Sequence, residues 1–295
     1  MQNLLAFVVV GFGAQLVDGA LGMAFGVTAS TLLLVNGVTP ALASASVHLA
    51  ELGTSLASGA SHWRFRNVDW RLVARLGVPG SVGAFVGATV LSSVSTQVAA
   101  PWTASVLLLL GAYVLVRFSL RAPAVRLTAT SPHRRRFLTP LGLTAGFVDA
   151  TGGGGWGPVS TSTLLSAGRV APRQVVGSVD TSEFLVAAAA SVGFVIGLRG
   201  QGISAVTVLG MLVGGVLAAP LAAWLVRRLP VAVLGTGVGG ILVLTNARTL
   251  LTVFGVTGGR TAVYVAIVIV WAVMVLVAVA QTRRGRVPLL DAAPA

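Results

Sequence analysis

Long apolar stretches separated by short polar clusters run the length of the chain. They occupy approximately residues 4–17, 20–36, 40–60, 71–91 and 100–118, then 138–150, 154–168, 173–197, 204–225 and 231–247, with a last one at 261–280. A bilayer core about 30 Å thick needs about 20 helical residues to cross it. The third, fourth and fifth stretches of each half roughly meet that length. The first two of each half are shorter, and predict either two tightly packed spans or a hairpin that enters the membrane and turns back near its middle.

Glycine punctuates those short pairs. In the second half the break is Asp149-Ala150-Thr151-Gly152-Gly153-Gly154-Gly155-Trp156-Gly157-Pro158. Four consecutive glycines are a poor helix interior, each costing about 1 kcal/mol against alanine, so the helix is expected to break there. A weaker version occurs 131 residues earlier: Asp18 aligns with Asp149, Gly22 with Gly153, Phe25 with Trp156 and Gly26 with Gly157. Shifted by one residue, the match continues through Pro40 on Pro172, His48 on Asp180 and Glu51 on Glu183. An acid, a glycine, an aromatic, a proline and a second acid recurring in one order indicate an internal repeat.

Composition agrees with a membrane protein. The 295 residues are 55% hydrophobic and 9% charged, with a mean hydropathy of +0.92, whereas a soluble domain carries about 25% charge. A net charge of +13 suggests nucleic acid at first sight, but the 20 basic residues are all arginine and cluster between apolar stretches, as positive-inside loops do. Nucleic-acid binding is therefore not expected. The absence of cysteine excludes disulfides and thiolate metal sites. No basic segment precedes the first stretch and Asp18 follows it, so it reads as part of the mature protein rather than as a signal peptide.

Loop charge orients the spans. Arg64, Arg66, Arg71 and Arg75 put the loop after the third stretch in the cytoplasm, and uncharged residues 92–101 belong outside. Arg117, Arg121, Arg126, His133, Arg134, Arg135 and Arg136 form a basic cytoplasmic linker. Arg169, Arg173, Arg227, Arg228, Arg283, Arg284 and Arg286 also fall inside, while Arg199, Arg248 and Arg260 are left outside. The expected architecture is an all-α polytopic membrane protein built of two inverted-topology repeats. Each opens with a helical hairpin, re-entrant or full-span. Residues 1–118 form the first repeat, 119–137 the linker and 138–250 the second repeat. Residues 251–295 supply a final helix and a cytoplasmic tail. Inverted repeats of this kind place a substrate site at their interface near the midplane.

Two groups of residues have the chemistry for such a site. Glycine-rich breaks expose helix N-terminal amides, which attract anions. Gly19, Gly22 and Phe25, with Thr151, Gly152, Gly153, Gly154, Gly155 and Trp156, are thus candidates for binding a small oxyanion. The bland alternative is that the glycines only permit close helix packing and that Thr151 bonds back to its own helix. Glu51 and Glu183 lie within apolar stretches, each preceded at three residues by His48 or Asp180, a spacing that shares a helix face. Acids at membrane depth are costly unless protonated, paired or beside water. Proton coupling by Glu51, Glu183, Asp18, Asp149, His48 and Asp180 competes with structural hydrogen bonding, notably capping of the following helix by Asp18 and Asp149. No nucleophile–base pair, metal cluster, cofactor motif or phosphate-cradling loop occurs, so no enzyme activity, cofactor or metal is expected.

The segments Gly11 to Gly22 and Gly142 to Phe147 leading into Gly152 to Gly157, with the two-fold repeat around a basic linker, resemble the TauE/SafE sulfite exporter family of bacterial permeases. The resemblance extends from about Phe7 to Ala280. It implies a multi-pass protein of the bacterial inner membrane that exports sulfite or an organosulfonate such as sulfoacetate, with proton coupling and alternating access. Protons, lipid and a homo-oligomeric partner are its expected company. An uncoupled anion channel or facilitator, or an uptake permease for a related anion, would use the same features.

Overall fold

A computed structural model describes residues 4–21, 23–120, 134–167, 169–199, 202–228 and 231–284. Gly22 and the linker positions Arg121, Arg126 and His133 lie outside the described residues, as does Arg286. Each apolar stretch is a helix. In the first half these are α1 (Leu4–Leu21), α2 (Phe25–Val35), α3 (Pro40–Arg64), α4 (Trp70–Ser93) and α5 (Thr96–Ser119). The second half has α6 (Arg135–Gly152), α7 (Trp156–Ala167), α8 (Pro172–Gly197), α9 (Ala205–Arg228) and α10 (Val231–Val253), followed by α11 (Arg260–Arg284).

Local chemistry sets the ends. Pro40 and Pro172 each open a helix at its first turn, where the missing amide is not needed. Asp69 caps α4 by accepting from the amides of Arg71 and Leu72. Among the described residues, α4, α5, α8, α10 and α11 are long and apolar enough to cross a membrane, which makes the chain an all-α polytopic membrane protein. Trp63, Trp70 and Trp102 are exposed at helix ends, as interfacial tryptophans are.

The helices pair across the halves. α1 packs along α9, α6 along α4, α5 along α10 and α3 along α8, while α11 touches mainly α10 and α5. Glycine makes two of these pairings intimate. A side chain at Gly11 would strike the backbone of Met211, and one at Gly214 that of Val8 and Phe12. In the other pair, Gly142 abuts the backbone of Leu76 and Gly80, and Gly83 abuts Leu143. The contacts Gly11 with Met211 and Gly142 with Gly80 are the same contact at the 131-residue offset. Small residues drive this type of helix approach in membranes, where exclusion of water contributes nothing between helices.

Candidate transport site

α6 ends inside the protein, which obliges the fold to satisfy its last carbonyl groups. Gly153 closes the helix in the left-handed conformation at φ 73°, a position that favours glycine. The Asp149 carbonyl accepts from the amide of Gly154 at 2.9 Å. Three hydroxyls from other helices take the next ones. Ser44 donates to the Ala150 carbonyl at 2.6 Å, Thr103 to that of Thr151 at 2.9 Å, and Ser30 to that of Gly153. The break is thereby tied to α2, α3 and α5.

The Asp149 side chain then bridges forward. Its Oδ1 accepts from the Trp156 amide at 2.9 Å, at the start of α7. Asp18 does the same in the first half, accepting from the amides of Ala24 at 2.8 Å and Phe25 at 3.1 Å. Both aspartates are caps across their glycine break, the bland alternative for these residues. Asp149 has a further partner, with its Oδ2 3.1 Å from His48 Nε2 and both side chains buried. His48 Nδ1 lies 2.8 Å from the Ser44 carbonyl, and the Ser44 hydroxyl beside it has given its proton to Ala150. Nδ1 therefore carries a hydrogen, and Nε2 facing a carboxylate requires one more proton between the two groups. The pair is an imidazolium with a carboxylate, or a neutral imidazole with a carboxylic acid.

Both breaks open on one cavity. Phe25 and Gly26 from the first turn of α2, and Gly157 and Pro158 from that of α7, line it together with Gly154, Gly155 and Thr161. Asp18, Glu51, Asp149, Asp180 and Glu183 complete the wall, so five of the chain's seven acids converge from α1, α3, α6 and α8. No arginine is among the described lining residues. The cavity volume is about 20 Å³, room for about one water molecule.

Other expected binding residues stand behind this wall. Gly152 abuts Val106 and Gly153 abuts Ser30, and neither lines the cavity. The Gly154 amide is already bonded to Asp149, so the four-glycine run is not a continuous cradle of free amides. The Thr151 hydroxyl bonds back to Phe147 at 2.7 Å. Trp156 is fully buried, its indole N–H donating to the Val179 carbonyl at 3.0 Å; it fills the space between α7, α8 and Gly80 of α4. Gly19 lies in the last turn of α1. Sequence reasoning passed over Ser30, Ser44 and Thr103, since buried hydroxyls acquire meaning only from the carbonyl they reach. It also passed over Ser58 and His62: Ser58 donates to Asp180 Oδ2, and His62 Nε2 lies 3.6 Å from the same oxygen.

Residues 7–249 match the family model described as Sulfite exporter TauE/SafE. The chain belongs to the TauE/SafE family. As a TauE/SafE protein it is a multi-pass transporter of the bacterial inner membrane, not an enzyme, in a family of sulfite exporters. It is similar to the probable membrane transporter protein YtnM of Bacillus subtilis (strain 168), 48% identical over 277 residues that span 94% of this chain and 92% of the relative. No solved structure matches it. The acid-lined cavity lies within the TauE/SafE match, as do all six expected proton-coupling or capping residues, Asp18, His48, Glu51, Asp149, Asp180 and Glu183.

Proposed function

We propose that the protein is a secondary transporter exporting sulfite or an organosulfonate such as sulfoacetate, coupled to protons, by alternating access around the cavity between its two halves. The observation that carries this reading is the meeting of two helix N-termini and five carboxyl groups at one small cavity. Helix N-termini attract an anion, whereas ionised carboxylates repel it, so proton loading converts the cavity from anion-repelling to anion-accepting. Binding of protons and binding of the anion then reinforce one another, as linkage requires. A divalent anion leaving with one proton still carries negative charge, and an inside-negative potential drives it outward with about 2.3 kcal/mol per charge per 100 mV.

A volume of about 20 Å³ is too small for a four-heavy-atom oxyanion, so the cavity must widen to load it. This closed geometry favours alternating access over a standing channel. The two halves act as inverted repeats in this reading, supported by the parity of the arginine-rich loops and by helix contacts that recur at the 131-residue offset.

The test is flux of sulfite, sulfoacetate, taurine and sulfate in proteoliposomes under an imposed pH gradient, for the native protein, Glu51→Gln and Glu183→Gln. Sulfite or sulfoacetate flux is expected to follow the gradient, and each variant to lose that response while retaining exchange. Unchanged pH dependence in both variants would overturn the coupling.

A further inference from the structure

α3 carries an uninterrupted polar face through an otherwise apolar chain. His48, Glu51, Ser55, Ser58 and His62 follow one another at intervals of three, four, three and four residues, which keeps them on one side of a helix. His48, Glu51 and Ser55 are buried, while Ser58 and His62 are partly exposed. The face thus grades from the interior to the end of α3 at Arg64, with His62 about 21 Å from His48 at 1.5 Å per residue.

The groups opposite match it. Asp149 of α6 meets His48, and Glu183 of α8 shares the cavity with Glu51. Asp180, one turn before Glu183, both lines the cavity and accepts from Ser58. His62 stands 3.6 Å from Asp180, and each of the two side chains is 26% exposed. Asp180 therefore has one side on the cavity and the other on a histidine that reaches the surface. The Ser55 hydroxyl is engaged with the Glu51 carbonyl of its own helix, so the connection from Asp180 inward passes through the cavity, which has room for about one water.

The other elements packed on α3 add little charge. Asp69 at the start of α4 is held by two backbone amides, and Arg71 and Arg75 follow it. α2 has no titratable side chain; α5 and α9 carry theirs, Tyr113 and Arg117, and Arg227 and Arg228, towards their C-terminal ends. Asp18 of α1 faces the stripe from across the cavity.

We propose that His62 and Asp180, oriented by Ser58, form the aqueous mouth of a proton path along the polar face of α3 to the Glu51 and Glu183 cavity. His62 takes a proton from solvent at Nε2 and passes it to Asp180 Oδ2; cavity water carries it on to Glu183 or Glu51, and His62 is reset by the next proton. No bond between heavy atoms changes and no electron is transferred. The inference rests on the proton-coupled reading above, and histidine suits the role because its ordinary pKa, about 6.5, lies near neutrality; partial burial pushes the His62 imidazole below that value, which favours release of the proton to Asp180.

The full chain in liposomes with a lumenal pH dye separates the two ideas. Proton movement driven by a sulfite gradient is compared with sulfite/sulfite exchange at equal pH on both sides. His62→Gln is expected to slow proton movement about tenfold or more, within the range that a positioned acid–base side chain contributes, and Ser58→Ala to slow it less. Exchange stays at the native rate in both. The rise of the native coupled rate through the histidine titration range disappears in His62→Gln, which a merely structural contact would not remove. Native proton movement in both variants, with loss in Glu51→Gln, overturns the path and leaves coupling standing. Absence of proton movement in the native protein overturns coupling and the path together. Should His62→Gln also depress exchange, Ser58→Ala decides, and a native coupled rate there overturns the path.

Discussion

At Asp149 one carboxyl group closes a helix break with one oxygen and meets His48 with the other. The first role was legible, because an acid followed by glycines and an aromatic reads as a cap across a break. The second was not, since His48 lies 101 residues away and its spacing to Glu51 pointed along its own helix. The internal repeat sharpens the difference. The residue equivalent to His48 is Asp180, and the residue equivalent to Asp149 is Asp18, so the second copy of this pair would be two carboxylates. Asp180 is found instead with Ser58 and His62. Gly154 shows a similar division between what is local and what is distant. Its φ of 151° is a conformation that other residues adopt at a cost of about 1–3 kcal/mol, and a Cβ there would press on the Gly26 Cα at 2.8 Å. Gly154→Ala is expected to destabilise the protein by about 2 kcal/mol or more, read as a lowered thermal midpoint in detergent. An unchanged midpoint would mean that α2 and the break do not touch as described.

Between helices, glycine decides how close the backbones come. Gly146 faces the backbone of Gly80 and Ala84 across the α4 and α6 contact, whereas Gly237 in α10 has nothing within 4 Å of where a Cβ would stand. Gly146→Leu should therefore lower stability by about 1–3 kcal/mol or more through overpacking, despite leucine's better helix propensity. Gly237→Leu should be neutral or stabilising by up to about 1 kcal/mol. Chemical or thermal denaturation of the two variants side by side checks this, and equal effects would contradict the packing. The helices themselves were readable from apolar length alone, and their observed ends differ by a few residues because polar groups extend a helix when the turns beyond remain bonded. α5, for example, begins at Thr96 and runs through Pro101, ahead of the apolar stretch. Which helix lies beside which was not readable, since a face of glycines fits any comparable face.

For the molecule as a whole, contacts recur between the halves at one offset, and the proposal that the halves are opposite in orientation is supported by the loop arginines. Cysteine labelling tests the orientation cleanly because the chain has no native cysteine. Asn36→Cys and Arg169→Cys occupy exposed, equivalent turns and are expected to react with an impermeant reagent from opposite sides of the membrane; labelling from one side would refute inverted halves. The sequence by itself determined the helices, the breaks, the repeat and the membrane environment, because each depends on apolar length, glycine and charge close together in the chain. Tertiary structure decided that five acids share one cavity, that His48 pairs with Asp149, and that Trp156 supports the wall rather than lining it. Those facts depend on how helices from the two halves rotate against one another, and that rotation is set by close contacts between residues far apart in the chain, such as Gly80 with Gly146 and Gly11 with Met211.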